Sequence, residues 1–168
     1  MKENIDIRRR VEKCVLTFIL VLSWLLAPKI GYENGDMSHV PTHLFYMFIH
    51  ANIWHLLGNL FVLWILRGRL YLMPSMVIAF LVSYVPGFSI YGEVGMTIGF
   101  SGVLFSIIGI KWGVYCMRNY RPIDRYEIGW RFLTRVVPFA LIGILIPHIN
   151  WCLHTCCLLA GFIYGRYR

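Results

Sequence analysis

Residues 93–113 read EVGMTIGFSGVLFSIIGIKWG: two glycines, Gly99 and Gly102, bracket Ser101 at the head of a long apolar run. Gly102, Ser106, Gly109 and Gly113 follow a 4-3-4 spacing, which puts them on one stripe of a helix. Small residues along an apolar helix let a second helix approach closely, as helices do in membranes. The last apolar run carries a matching stripe: His154, Gly161 and Gly165 fall near one face, and GFIYG (161–165) is a small-xxx-small pair. Two closely packed helices are therefore expected, with Ser101 and His154 within hydrogen-bond reach.

Composition sets the surroundings of that pair. The chain has 168 residues, 58% hydrophobic and only 14% charged, with a mean hydropathy of +0.64. A soluble domain of this length cannot hide so much apolar surface, so an integral membrane protein is expected. Six apolar segments can be read, at 14–32, 53–66, 70–85, 100–117, 136–149 and 151–164. The second and fifth are short for a span of about 20 residues, and neighbouring stretches such as LFYMFI (44–49) extend them. The expectation is one all-α domain over residues 1–168, a polytopic membrane bundle of six helices, with 1–13 as a basic cytoplasmic N-terminal segment.

The net charge of +8 would suggest nucleic acid if the basic residues formed a patch on a soluble surface. Here they punctuate the apolar runs, which is the pattern of topology signals. With a cytoplasmic N-terminus, 15 of the 16 Lys and Arg residues fall inside and only Lys29 falls outside. That distribution favours six spans over five or seven and puts both termini in the cytoplasm. No small-residue cleavage site follows the first apolar run, so a retained first span is expected. Cys14, Cys116, Cys152, Cys156 and Cys157 lie in or beside apolar segments with no pair of CxxC motifs, and read as small hydrophobes.

On this topology, span two carries His55 and Asn59, span four begins with Ser101, and span six carries His154. All lie roughly 5 to 12 Å below the outer surface at about 1.5 Å rise per residue. His55 and Asn59 are four apart and share a helix face; His50, five before His55, does not, and is expected to pack where the chain enters span two. A serine is a poor nucleophile until a base takes its proton, and His154 is the intramembrane histidine on a helix packed against span four. His55, Asn59 and the first N–H groups of span four can serve a developing oxyanion, while Gly99 and Gly102 leave room beside Ser101. No Asp or Glu lies within a span, so the constellation is a Ser-His dyad rather than a triad. GFSG is not the soluble hydrolase elbow GxSxG, since Val103 holds the last glycine position. HExxH is absent, and no metal or organic cofactor is implied. His39, His43 and His148 belong to outer loops or edges, with no catalytic role expected.

In these residues the chain resembles the rhomboid family of intramembrane serine proteases. The resemblance rests on HANIWHLLGN (50–59), GFSG (99–102) and His154, 53 residues after the serine. It implies Ser101 as nucleophile, His154 as general base, His55 and Asn59 in the oxyanion hole, and His50 as a supporting residue. Phe105 stands where a tyrosine often stacks on the catalytic histidine, and a phenylalanine keeps that face. Three features depart from the family pattern: the Trp-Arg pair common before span two is replaced within PTHLFYMFIH (41–50), Cys157 replaces a glycine, and the connection before span six is about PHIN (147–150). The implied substrates are single-span membrane proteins cut near the outer end of their transmembrane segment. The implied setting is the lipid bilayer, with bacterial inner membrane as the expected location and no nucleic-acid partner. The alternative is a non-catalytic rhomboid-like protein that binds transmembrane clients.

Overall fold

The computed structural model describes residues 2–28, 30–33, 35–87, 95–118, 130, 134 and 149–168. These residues form six α-helices: α1 (Lys2–Leu26), α2 (Val40–Phe45), α3 (Ile53–Ile65), α4 (Leu72–Val82), α5 (Ser101–Arg118) and α6 (Trp151–Arg166). A single 3-10 turn, Tyr46–Phe48, follows α2. No strand occurs among the described residues; the nearest approach to a sheet is one antiparallel bridge between Tyr32 and Thr97. The all-α class is as expected. The fifth expected segment, 136–149, lies outside the described residues apart from Ile149.

The helix boundaries differ from the expected segments in four places. The basic N-terminal segment is not separate from the first apolar run: α1 begins at Lys2 and continues through both, with Arg8 and Glu12 paired one turn apart at 3.5 Å. Its end is earlier than expected, at Leu26, because Pro28 disfavours helical backbone before it. The third segment is helical only over Leu72–Val82. The LFYMFI stretch does not extend α3 as a straight helix. The chain breaks between Phe48 and Ile53, and the two parts meet at 75°. At the break Ile49 and Asn52 are extended, and the Asn52 side chain caps α3 by accepting the N–H of His55 at 2.9 Å.

Among the described residues no single helix is long and apolar enough to cross a membrane; the bent pair Val40–Phe48 and Ile53–Ile65 meets that length and composition only together. The outer surface is nevertheless strongly apolar. α1 exposes Ile7, Val11, Val15, Phe18, Leu22 and Leu25 at helical spacing, and α3 exposes Trp54, Leu57, Phe61 and Ile65. Apolar area of that extent on the outside of a helical protein marks contact with lipid or a partner.

α5 is the central helix. Val103, Ile107 and Ile110 are wholly buried, and Val103 and Ile107 share one core cluster with Leu56 and Leu63 of α3, Ala79 of α4 and Cys157 of α6. α5 and α6 run parallel and touch backbone to backbone. A Cβ on Gly109 would strike the Leu158 carbonyl oxygen and the Phe162 nitrogen, and one on Gly113 would strike the corresponding atoms of Phe162 and Arg166. From the other side, Gly161 faces the backbone of Ser106 and Gly165 that of Ile110. Because the helices are parallel, their first turns lie at the same end of the bundle. At the far end, Lys13 of α1 donates to the carbonyls of Trp64 (3.0 Å) and Leu66 (2.6 Å), and Lys111 of α5 donates to that of Arg67 (2.5 Å). Two lysines expected only as topology signals thus satisfy the orphan carbonyls at the end of α3, where cations also oppose the helix dipole.

Candidate active site

Ser101 is the first residue of α5, and its position is set by the segment before it. The backbone of Thr97 pairs with Tyr32, N–H to carbonyl, at 2.9 and 3.3 Å. Two residues on, the N–H of Gly99 donates to the Tyr46 carbonyl at 2.9 Å, while the Tyr46 hydroxyl donates to the Ala79 carbonyl at 3.1 Å. The approach to the serine is therefore tied to three other parts of the chain. Gly99 turns with φ +120°, a conformation that side-chain-bearing residues avoid. It has no space either: a Cβ there would lie 2.5 Å from Cε1 and 2.7 Å from Nε2 of His55, and 3.6 Å from Nδ2 of Asn59. The absent side chain is what lets the His55 ring and the Asn59 amide reach the backbone just before Ser101.

His154 stands one turn into α6. Asn150 caps this helix, its Oδ1 accepting the N–H of Leu153 at 3.0 Å, and the N–H of His154 bonds to the Asn150 carbonyl at 3.3 Å. The Asn150 amide has a second use: Nδ2 donates to Thr97 Oγ1 at 3.1 Å and approaches the Tyr32 hydroxyl at 3.5 Å. One side chain thus starts the histidine helix and holds the strand-like segment that leads to the serine. With both ends fixed, His154 Nε2 lies 2.7 Å from Ser101 Oγ. The Phe105 ring stacks on the imidazole at 4.5 Å and 13°. Gly102 also faces α6; a Cβ there would lie 3.2 Å from the Tyr46 hydroxyl, 3.4 Å from Leu153 Cδ2 and 3.5 Å from Cys157 Sγ.

Ser101, His154, His55, Asn59, Gly99, Gly102 and Phe105 are accordingly gathered at one end of the bundle. Asn59 is buried, with Nδ2 free of any hydrogen-bond partner. His50 is buried too, in the break before α3, where its ring meets that of His55 edge-on at 5.2 Å. Its ring contact is with His55 rather than with Ser101. Chemically the group offers a hydroxyl bonded to an imidazole nitrogen, two side-chain N–H donors facing the same backbone, and the unpaired first N–H groups of a helix. Among the described residues no set of His, Cys, Asp or Glu side chains could hold a metal ion.

Sequence reasoning overlooked Asn150 and Thr97. An Asn four residues before His154, at the head of an apolar run, is an N-cap signal that could have revealed the first. It also left His43 as a plain loop residue. His43 is buried, stacked between Tyr32 (4.5 Å) and Tyr84 (4.1 Å). Its Nδ1 meets Ser83 Oγ at 2.8 Å and its Nε2 meets the Asp36 carbonyl at 2.7 Å. It anchors the loop that lacks the Trp-Arg pair. Nearby, hydrogen bonds from the hydroxyl and the N–H of Ser38 hold the exposed Asp36 carboxyl below its ordinary range.

A family model, the Rhomboid domain, matches residues 37–168. The chain belongs to the rhomboid family, whose members are integral membrane proteins. A search of curated proteins gives no match.

Proposed function

We propose that the chain is an intramembrane serine endopeptidase that hydrolyses peptide bonds near the outer end of transmembrane segments with a Ser101–His154 dyad. The observation that carries this reading is the 2.7 Å contact between Ser101 Oγ and His154 Nε2, made by the first turns of two parallel helices. His154 takes the hydroxyl proton as Oγ attacks the scissile carbonyl. His55, Asn59 and the first N–H groups of α5 stabilise the oxyanion. His154 then protonates the leaving amine, and afterwards takes a proton from the water that hydrolyses the acyl-enzyme. Phe105 keeps the imidazole in the rotamer that faces the serine. The substrates are single-span membrane proteins. The chain acts as one domain of six spans in a bacterial inner membrane, and the placement of its basic residues favours six spans with both termini in the cytoplasm.

A fluorophosphonate probe tests the reading directly. Only a serine with a base and an oxyanion site attacks phosphorus at a useful rate. The parent should label at Ser101, Ser101→Ala should not label, and His154→Ala should label far more slowly. A folded parent that neither labels nor cleaves any of a panel of single-span proteins would turn the assignment to the client-binding alternative.

A further inference from the structure

At the end of the bundle away from Ser101, α1, α4 and α6 diverge around a cleft of about 770 Å³. Among the described residues its rim carries Arg8, Arg9, Arg69 and Arg168 and one acid, Glu12, which pairs with Arg8. Its wall is apolar, formed by Leu72, Met73 and Pro74 at the start of α4. Between rim and wall stands Tyr71. Both Arg69 and Arg168 lie over its ring, at 5.2 and 5.0 Å from the centroid. Tyr71 is also, among the described residues, the one non-glycine with positive φ (51°). A tyrosine held left-handed is strained, and such residues cluster where ligands are clamped. A second cleft of about 360 Å³ shares Arg69, Tyr71 and Arg168 and adds Arg166.

Guanidinium groups brought together on one aromatic ring repel each other unless an anion joins them, and among the described residues no carboxylate lies on that ring beside Arg69 and Arg168. Arg presents a planar fork of donors that matches phosphate oxygens two at a time. The apolar wall directly below the forks suits the glycerol and acyl part of an amphiphile. Basic pockets between membrane helices bind anionic lipid head groups by this combination.

We propose that Tyr71, Arg69 and Arg168 form the centre of a phosphate-binding site for the head group of an anionic phospholipid. Arg69 and Arg168 grip the phosphate oxygens, the Tyr71 ring holds the two guanidiniums in register, and the acyl chains run down α4 past Leu72 and Met73.

The protein is inserted into nanodiscs of equal phosphatidylglycerol and phosphatidylcholine, released, and weighed by native mass spectrometry. The parent should retain phosphatidylglycerol in preference to phosphatidylcholine. The pair Arg69→Gln/Arg168→Gln should reduce that retention about tenfold. The control pair Arg10→Gln/Arg67→Gln, which removes the same charge outside the cleft, should retain it as the parent does. Arg69→Lys/Arg168→Lys keeps the charge and guards against misfolding; it should retain an intermediate amount, since a point charge replaces the fork. A parallel titration with inorganic phosphate separates the sources. If phosphate alone binds in an Arg69- and Arg168-dependent way and displaces the lipid, the site serves a free anion and the lipid assignment falls. Equal losses in both glutamine pairs, or no preference in the parent, would overturn the site altogether.

Discussion

Asn59 holds a buried amide nitrogen with no hydrogen-bond partner, although an unpaired buried donor costs about 1–3 kcal/mol. Such a cost is tolerated when the partner arrives only during the reaction, and the neighbouring His55 ring and the side-chain-free Gly99 give the amide a target. Removing one oxyanion donor typically slows catalysis by about 10²–10³. His55→Ala and Asn59→Ala should each lower kcat by about that range with little change in KM; parental rates in both folded variants would remove them from the oxyanion role. Phe105 acts on the other member of the dyad. Phe105→Ala frees the imidazole to leave the serine, whereas Phe105→Tyr keeps the stacked face, so cleavage should fall clearly for the first and little for the second. Equal rates for all three forms would dismiss the stack as a positioning device. Labelling of Ser101 should also fall as pH drops and His154 becomes protonated, since an imidazolium cannot accept the serine proton.

At the scale of elements, Asn150 separates two jobs within one side chain. Asn150→Asp keeps the oxygen that caps α6 but loses the amide that donates to Thr97, whereas Asn150→Ala loses both. The aspartate variant should therefore retain most of the thermal stability and lose activity through kcat, with Thr97→Val reproducing its activity loss. If aspartate cleaves like the parent, the tie to Thr97 has no part in aligning the dyad. The glycine stripes of α5 and α6 need no such dissection. Gly109→Val or Gly161→Val drives a branched side chain into the backbone of the partner helix, and the melting temperature should drop well below that of a surface change such as Ser38→Ala. These stripes are legible in the sequence because small residues at 4-3-4 spacing have one simple use between apolar helices. The break before α3 is not legible, because it occupies only the four residues 49–52 between two apolar stretches; an Asn52 cap starts α3 there, and periodicity does not register a cap. The clamps from Lys13 and Lys111 join residues 44 to 53 apart in sequence, a separation at which local spacing carries no signal. The left-handed Tyr71 has no signature at all, since neither glycine nor asparagine marks it.

The whole molecule is polarised. Ser101 and His154 lie in the first turns of α5 and α6, which are parallel, so the dyad occupies one end. Arg8 and Arg9, near the start of α1, line a cleft with Arg168, just beyond the end of α6, so the two chain ends meet at the other. About twelve residues of α6 separate His154 from Arg166, or roughly 18 Å along the axis at 1.5 Å per residue. On the membrane reading proposed above, that polarity presents the two chain ends to one side and the dyad to the opposite side, with the chain ends in the cytoplasm as the placement of the basic residues favours. Single cysteines test this in a background whose five native cysteines are replaced by alanine. Ser38→Cys lies in the loop between α1 and α2, and Tyr167→Cys lies just past α6; both positions are exposed. In intact cells a membrane-impermeant maleimide should modify Ser38→Cys readily and Tyr167→Cys only after the cells are opened. Modification of both in intact cells would contradict the two-sided arrangement, and modification of Tyr167→Cys alone would invert it, leaving the dyad to open towards the cytoplasm.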